Sequence, residues 1–294
     1  MAEQNIELRK IRDFGENMND AFLFIRQNFR PLIKSFLAIC AVFMLAQAIF
    51  NGMYQSRSMA FFKDIFSGQR GNANSLSKVF SIEYFLMILS AWLTFAAINV
   101  ALGGYIKYYA QNNGTPPTLE EVWTIFKKYF FVILLYTVPV YFIIVVGCFF
   151  CLLPGIYLWV VFVPFSLVVI FEERSFGDAF GRCFDLIREN FWSSFAIYLV
   201  SYIIYSICGL LIGGIVSALV ALAGYLTTDD LGTSYAVLTS FLNIFSFCFY
   251  IIFFVSAALN YFSLVEIKEG TGILNRIDNI GKNKDNFDNI EEQY

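Results

Sequence analysis

Two short stretches of this 294-residue sequence hold side chains whose type and spacing can do chemistry. Cys148 and Cys151 form a C-x-x-C, the spacing of a redox dithiol or of a disulfide in an oxidising compartment. Glu172 and Glu173 stand side by side ahead of a segment that carries Arg182 and Arg188, so a carboxylate can pair there with a guanidinium, and Asp178 and Arg182 are spaced for an ion pair along one helix. Arg26, Lys127 and Arg188 recur at the same place in three related segments and can donate to a lipid phosphate or to a partner protein. Phe149, Phe150, Leu152 and Leu153 flank the two cysteines, which makes burial at a membrane boundary the simpler reading of that pair. Cys40, Cys183, Cys208 and Cys248 occur singly and read as small apolar residues.

Absent residue types narrow the chemistry further. The chain has no histidine, and so lacks the usual general base at neutral pH and the commonest metal ligand. Ser-His and Cys-His nucleophilic catalysis and HExxH zinc proteolysis each lose a required part. No P-loop is present, and Gly270-Thr271-Gly272 follows a helix, where it reads as a helix stop. A net charge of -3, with basic residues spread through short loops, offers no patch for nucleic acid. The expectation is a protein that is not an enzyme and needs neither metal nor cofactor.

The elements that must position these residues are membrane spans. Hydrophobic residues make up 58% of the chain, charged residues 15%, and the mean hydropathy is +0.63. A spanning helix needs about 20 apolar residues to cross the hydrocarbon. Charge-free windows at 35–56, 84–106, 129–171, 190–228 and 231–265 supply that length, the third of them twice, with a turn between Gly147 and Pro154. The expected spans are 32–53, 84–106, 130–147, 154–171, 192–214 and 238–264, in a single domain over 1–270. Of the 20 Lys and Arg residues, only Arg57, Lys63, Arg70 and Lys78 fall on one side, all within a 54–83 extracytoplasmic loop, so the positive-inside bias places both termini in the cytoplasm. The polar N-terminus lacks the pattern of a signal peptide, and the first span reads as the anchor.

"DFGENMNDAFLFIRQNF" at 13–29 aligns with "SFGDAFGRCFDLIRENF" at 175–191, matching Phe14, Gly15, Ile25, Arg26, Asn28 and Phe29 with Phe176, Gly177, Ile187, Arg188, Asn190 and Phe191. A weaker copy, "TLEEVWTIFKKYF", lies at 118–130. Each opens on a capping pair: Asp13 with Glu16, Thr118 with Glu121, Ser175 with Asp178. Apolar residues then recur at helical spacing: Phe14, Met18, Phe22 and Ile25; Val122, Ile125, Phe126 and Tyr129; Phe176, Phe180, Phe184 and Ile187. The predicted fold is therefore an all-α integral membrane protein of six transmembrane helices in three hairpins. A cytoplasmic interfacial amphipathic helix, at 14–29, 119–129 and 176–190, precedes each hairpin as an internal repeat.

Within the spans, Gln47, Asn99, Thr137 and Asn243 are mild polar groups suited to inter-helix hydrogen bonds. Gly209 and Gly213, and Gly103-Gly104, mark expected close backbone approaches, and Pro139 and Pro164 interrupt the third and fourth spans. Ile273, Ile277 and Ile280 could form one more short helix before a polar, largely disordered cytoplasmic tail within 271–294.

The stretch 153–192, with Pro154 and Gly155 at a span start, Glu172 or Glu173 at its end, then Arg182, Arg188 and Phe191-Trp192, resembles a bacterial family. That family is the membrane domain attached to some glycerophosphodiester phosphodiesterases, together with the stand-alone YciC-like proteins. The resemblance implies a fold of this layout in the bacterial cytoplasmic (inner) membrane, and without the catalytic domain it implies no activity. The expected function is a non-catalytic scaffold or accessory protein that touches membrane lipids or another membrane protein; the alternative is a component of a lipid or small-solute transport system. Labelling of single cysteines introduced at Arg26 and Arg188 in intact cells is expected to find both protected from an impermeant reagent; opposite sidedness would contradict the expected topology.

Overall fold

Hydrocarbon gives a bare peptide group nothing to bond with, so a chain this apolar must satisfy its backbone inside helices. The computed structural model describes residues 6–66, 81–112, 114–227 and 232–270, and among the described residues every regular element is a helix. In chain order these are α1 (Phe14–Phe66), α2 (Ile82–Gln111), α3 (Leu119–Phe150), α4 (Leu152–Phe162), α5 (Phe165–Glu172), α6 (Phe176–Ile187), α7 (Phe191–Thr227) and α8 (Gly232–Glu269). Among the described residues six stretches are long and apolar enough to cross a bilayer: Phe14–Ser58, Ile82–Gln111, Leu119–Phe150, Leu152–Glu172, Phe191–Ile215 and Ile244–Glu269.

The helix α8 is the axis of the bundle: 83% of its most apolar stretch is buried, against 18% for α7. It packs along α1 and α7; α1 packs on α2, α2 on α3 and α5, and α3 on α4, while α6 lies across α4, α5 and α8. Phe131, Leu135 and Phe142 on α3, and Ile203, Ile207 and Leu210 on α7, form exposed apolar faces of the kind that hydrocarbon covers.

Several boundaries differ from those the sequence predicts. No break separates 14–29 from the first span: α1 is continuous for 53 residues, with Pro31 inside it. The join is pinned where Asn28 donates to the Phe24 carbonyl at 3.1 Å and accepts from the Tyr105 hydroxyl of α2 at 3.1 Å, all in the buried core. Likewise 119–129 runs without interruption into the rest of α3. The predicted 54–83 loop is helical as far as Phe66, and Arg57 pairs with Glu83 to tie that helix to the start of α2; residues 67–80 lie outside the described residues. The helices α7 and α8 extend beyond the predicted spans, and α7 continues through Gly213-Gly214. The fourth span is two helices, α4 and α5, parted at Val163-Pro164, because Pro164 has no N–H to continue the ladder. By contrast Pro139 stays within a continuous α3. The predicted helix at Ile273–Ile280 and the tail 271–294 fall outside the described residues.

Glycines separate tight contacts from open ones. A Cβ on Gly103 would stand 2.7 Å from Ile170 Cδ1, and one on Gly155 would stand 2.8 Å from the Cys148 backbone, where α3 turns into α4 through the single residue Cys151. Among the described residues nothing lies within 4 Å of a Cβ on Gly213, and a Cβ on Gly209 would meet Ser246, at 3.4 Å from its Oγ. Gly155→Val is expected to cost about 2 kcal/mol and lower the unfolding midpoint in detergent, while Gly213→Ala leaves it unchanged or slightly higher. Equal effects of the two substitutions would contradict this packing.

Candidate functional site

The charged residues gather at the end of the bundle where α1, α3 and α6 begin and α2, α5 and α8 finish. Each of the three helix starts is capped from the sequence outward. Asp13 Oδ1 accepts from Glu16 N at 2.7 Å. Thr118 and Glu121 close a full capping box, with Thr118 N donating to Glu121 Oε2 at 2.7 Å. Ser175 accepts from Asp178 N at 3.5 Å and donates its hydroxyl to Asp178 Oδ2 at 2.6 Å. Counted from these caps, the same positions are buried in all three segments: Asn17, Val122 and Ala179; Ala21, Phe126 and Cys183; Phe24, Tyr129 and Leu186.

That register revises two expectations. In 14–29 the buried face is Asn17, Ala21, Phe24 and Asn28, whereas Phe14 and Phe22 are exposed: the small or polar side chains allow α1 a close approach to its neighbours, and Phe24 packs edge-on against the Tyr109 ring of α2 at 4.9 Å. Lys127 occupies the place of Phe22 and Phe184, while Phe131 falls where Arg26 and Arg188 stand, so Lys127 is not their equivalent when the helix starts are superposed.

Two adjacent carboxylates organise this end. Glu172, closing α5, accepts from Arg174 Nε at 2.6 Å, from Arg182 Nε at 3.1 Å and from the Tyr261 hydroxyl of α8 at 3.1 Å. Arg182 also pairs with Glu269 at the end of α8, so α5, α6 and α8 meet in one ionic knot. The predicted Asp178–Arg182 pair does not form, since Asp178 caps its own helix and Arg182 turns to the less exposed Glu172. Glu173 has φ 52°, in the left-handed region that non-glycine residues enter at a cost of about 1 to 2 kcal/mol, and this conformation ends α5. Lys107 Nζ donates to Glu173 at 2.8 Å and to the Ile170 carbonyl at 2.7 Å, and Lys128 lies 3.3 Å from the same carboxylate. Both ammonium groups sit over the Tyr129 ring, at 5.4 and 4.9 Å from its centre.

The N-terminal segment closes over this end around Arg12, whose side chain is 1% exposed. Arg12 donates to Asp20 Oδ2 at 2.8 Å, to the Leu8 and Lys10 carbonyls at 2.8 and 3.1 Å, and to the Glu7 carbonyl; its own amide donates to Ser263 Oγ of α8 at 3.0 Å. A guanidinium saturated by backbone carbonyls folds the segment that carries them around itself.

The predicted site residues therefore divide. Glu172 and Arg182 are drawn into the ionic knot and Glu173 pairs with Lys107 and Lys128, whereas Arg26, Lys127 and Arg188 are exposed and form no salt bridge among the described residues. Cys148 and Cys151 are free, exposed thiols at the opposite end, and Phe149 and Phe150 beside them are exposed rather than buried within the bundle. Inside the spans, Ser90 donates to Gln47 at 2.6 Å, Ser166 to Asn99 at 3.2 Å and Trp92 to Thr137 at 3.0 Å, each bond joining two helices. The side chain of Asn243 lies outside the described ones. Sequence reasoning passed over Asn260, which donates to Ser194 and Tyr198 of α7 at 3.1 and 2.9 Å. It also passed over Arg12, Lys107, Lys128 and Glu269. A lone amide in an apolar run was the signal for Asn260; nothing local marked the others.

Compared with known proteins, the chain matches no family model, no curated protein and no solved structure.

Lys107, with Lys128 beside it, holds the Glu173 carboxyl down to about 2, below the ordinary value of about 4.3. A carboxyl whose folded value is depressed contributes stability that is present above its unfolded value and disappears as pH falls through the folded one. The unfolding midpoint is expected to drop between about pH 4.3 and pH 2 by more in the wild type than in Glu173→Gln; parallel pH profiles would contradict the pairing.

Proposed function

We propose that this chain is a non-catalytic, multi-pass protein of a bacterial cytoplasmic membrane, with both termini cytoplasmic. Its cytoplasmic end serves as a scaffold or accessory surface for anionic lipid headgroups or for a membrane-protein partner. In this reading the three capped helix starts are repeats of one unit, each leading into a pair of spans, and the resemblance of 153–192 to the phosphodiesterase-associated membrane domains supports the same layout. The observation that carries the reading is the shared burial register of 13–29, 118–130 and 175–191. Phe22 and Phe184 add a further identity to the two stronger copies. Burying the same positions turns the same face outward, and on that face Arg26 and Arg188 stand exposed. A basic side chain at an anionic membrane surface is worth about 1 kcal/mol, so the collar would bind as a sum of small terms and weaken with salt.

A second reading, as a component of lipid or small-solute transport, is favoured by one observation. The break between α4 and α5 lines a cavity of about 80 Å³ inside the bundle, where Asn99, Thr137, Ser166, Tyr141 and Tyr250 bring polar groups among apolar walls. Broken helices lining polar cavities are a recurrent feature of transporter sites.

Reversing both charges, Arg26→Glu with Arg188→Glu, is expected to lower recovery of anionic lipid or of a cross-linked membrane partner about tenfold. Unchanged recovery removes the collar reading. Flux of a lipid or solute through reconstituted vesicles that survives this double reversal would favour the transport reading instead.

A further inference from the structure

Between the N-terminal segment, the α5–α6 junction and the last turns of α8 lies a cavity of about 430 Å³, a volume typical of small-ligand sites. Its floor is Phe171, Phe262 and Val265, the last two buried. Its rim carries Arg9 and Arg174 together with Glu172 and Glu269.

The two carboxylates are already engaged: Glu172 accepts from Arg174, Arg182 and Tyr261, and Glu269 accepts from Arg182. Arg174 uses only Nε in these bonds, and among the described residues its two terminal nitrogens make none. The rim thus holds carboxylates that are already engaged and, on Arg174, two terminal nitrogens that make no bond among the described residues. A planar guanidinium with two parallel N–H groups fits a tetrahedral oxyanion such as phosphate, and the apolar floor fits a carbon chain attached to it.

We propose that this cavity binds one phosphate ester. Arg174 donates through its terminal nitrogens, Arg9 adds positive charge, and the carbon part of the ligand lies on Phe171 and Phe262. Either the headgroup of a membrane phospholipid or a free phosphate ester has this chemistry. The proposal deepens the collar reading and rests on it for the lipid source alone.

The test is calorimetric titration of the full chain in detergent with dihexanoyl-phosphatidylglycerol and, separately, with glycerol 3-phosphate. Saturable binding of at least one probe is expected, weakened about tenfold by Arg174→Gln, the loss of a charge-assisted hydrogen bond. Glu269→Gln is expected to tighten it, because a negative charge leaves the rim; a misfolded variant would not bind more tightly. Binding of the lipid alone identifies a headgroup as the source, and equal binding of both probes identifies a free ester. Absence of saturable binding, an Arg174→Gln affinity equal to wild type, or weakening by Glu269→Gln overturns the proposal. If pocket binding fails while Arg26→Glu with Arg188→Glu still lowers bulk anionic-lipid recovery, only the pocket falls; if the pocket titrates as expected while bulk recovery is unchanged, only the collar reading falls.

Discussion

A charge is costly in hydrocarbon, and at the end of α5 two carboxylates follow each other with no spacer between them. Glu172 and Glu173 resolve that crowding by taking separate partners. Glu172 is drawn to Arg174, Arg182 and Tyr261, and Glu173 to Lys107 and Lys128. Because those partners sit on α2, α3, α6 and α8 as well as in the connecting turn, one dipeptide links most of the helices at the charged end. The left-handed backbone of Glu173 turns the chain from α5 towards α6, and Ser175 then caps the new helix. The placement of α6 across α4, α5 and α8 depends on this corner.

Deeper in the bundle the links are neutral and individually weak. Gln47 with Ser90, Asn99 with Ser166, Thr137 with Trp92, and Asn260 with Ser194 and Tyr198 each join a pair of helices through uncharged groups. Such bonds average about 0.6 kcal/mol in a membrane protein, so they set register more than they add stability. Close packing does the rest where glycine allows it, as at Gly103 against Ile170. Strong, charged contacts at one end and weak, neutral ones within are what an apolar solvent selects.

Much of this was legible in the sequence, for reasons that are local. A cap needs only a small oxygen-bearing residue and an acid three positions on, and all three pairs that the sequence offers are made. Apolar windows bounded by charge locate six stretches able to cross a bilayer, because hydropathy needs no knowledge of partners. Long-range choices were not legible. Arg182 reaches Glu269, 87 residues away, in place of Asp178 one turn away on its own helix. Next to Pro31, where α1 runs on without a break, the partner of Asn28 is Tyr105, 77 residues away. The buried face of the start of α1 combines Asn17, Ala21 and Asn28 with the single aromatic Phe24 because of what it meets, and periodicity alone selects Phe14 and Phe22 instead.

The link between Glu172 and Arg182 carries the account of the charged end, and both side chains are largely withdrawn from solvent, at 16% and 13% exposure. The most direct measurement is a double-mutant cycle, with Glu172→Gln, Arg182→Gln and the combined variant unfolded in detergent micelles. The account predicts a coupling free energy of about 1 to 3 kcal/mol between the two positions. Additive effects, with coupling near zero, would show that the corner holds without this pair and would contradict the arrangement described.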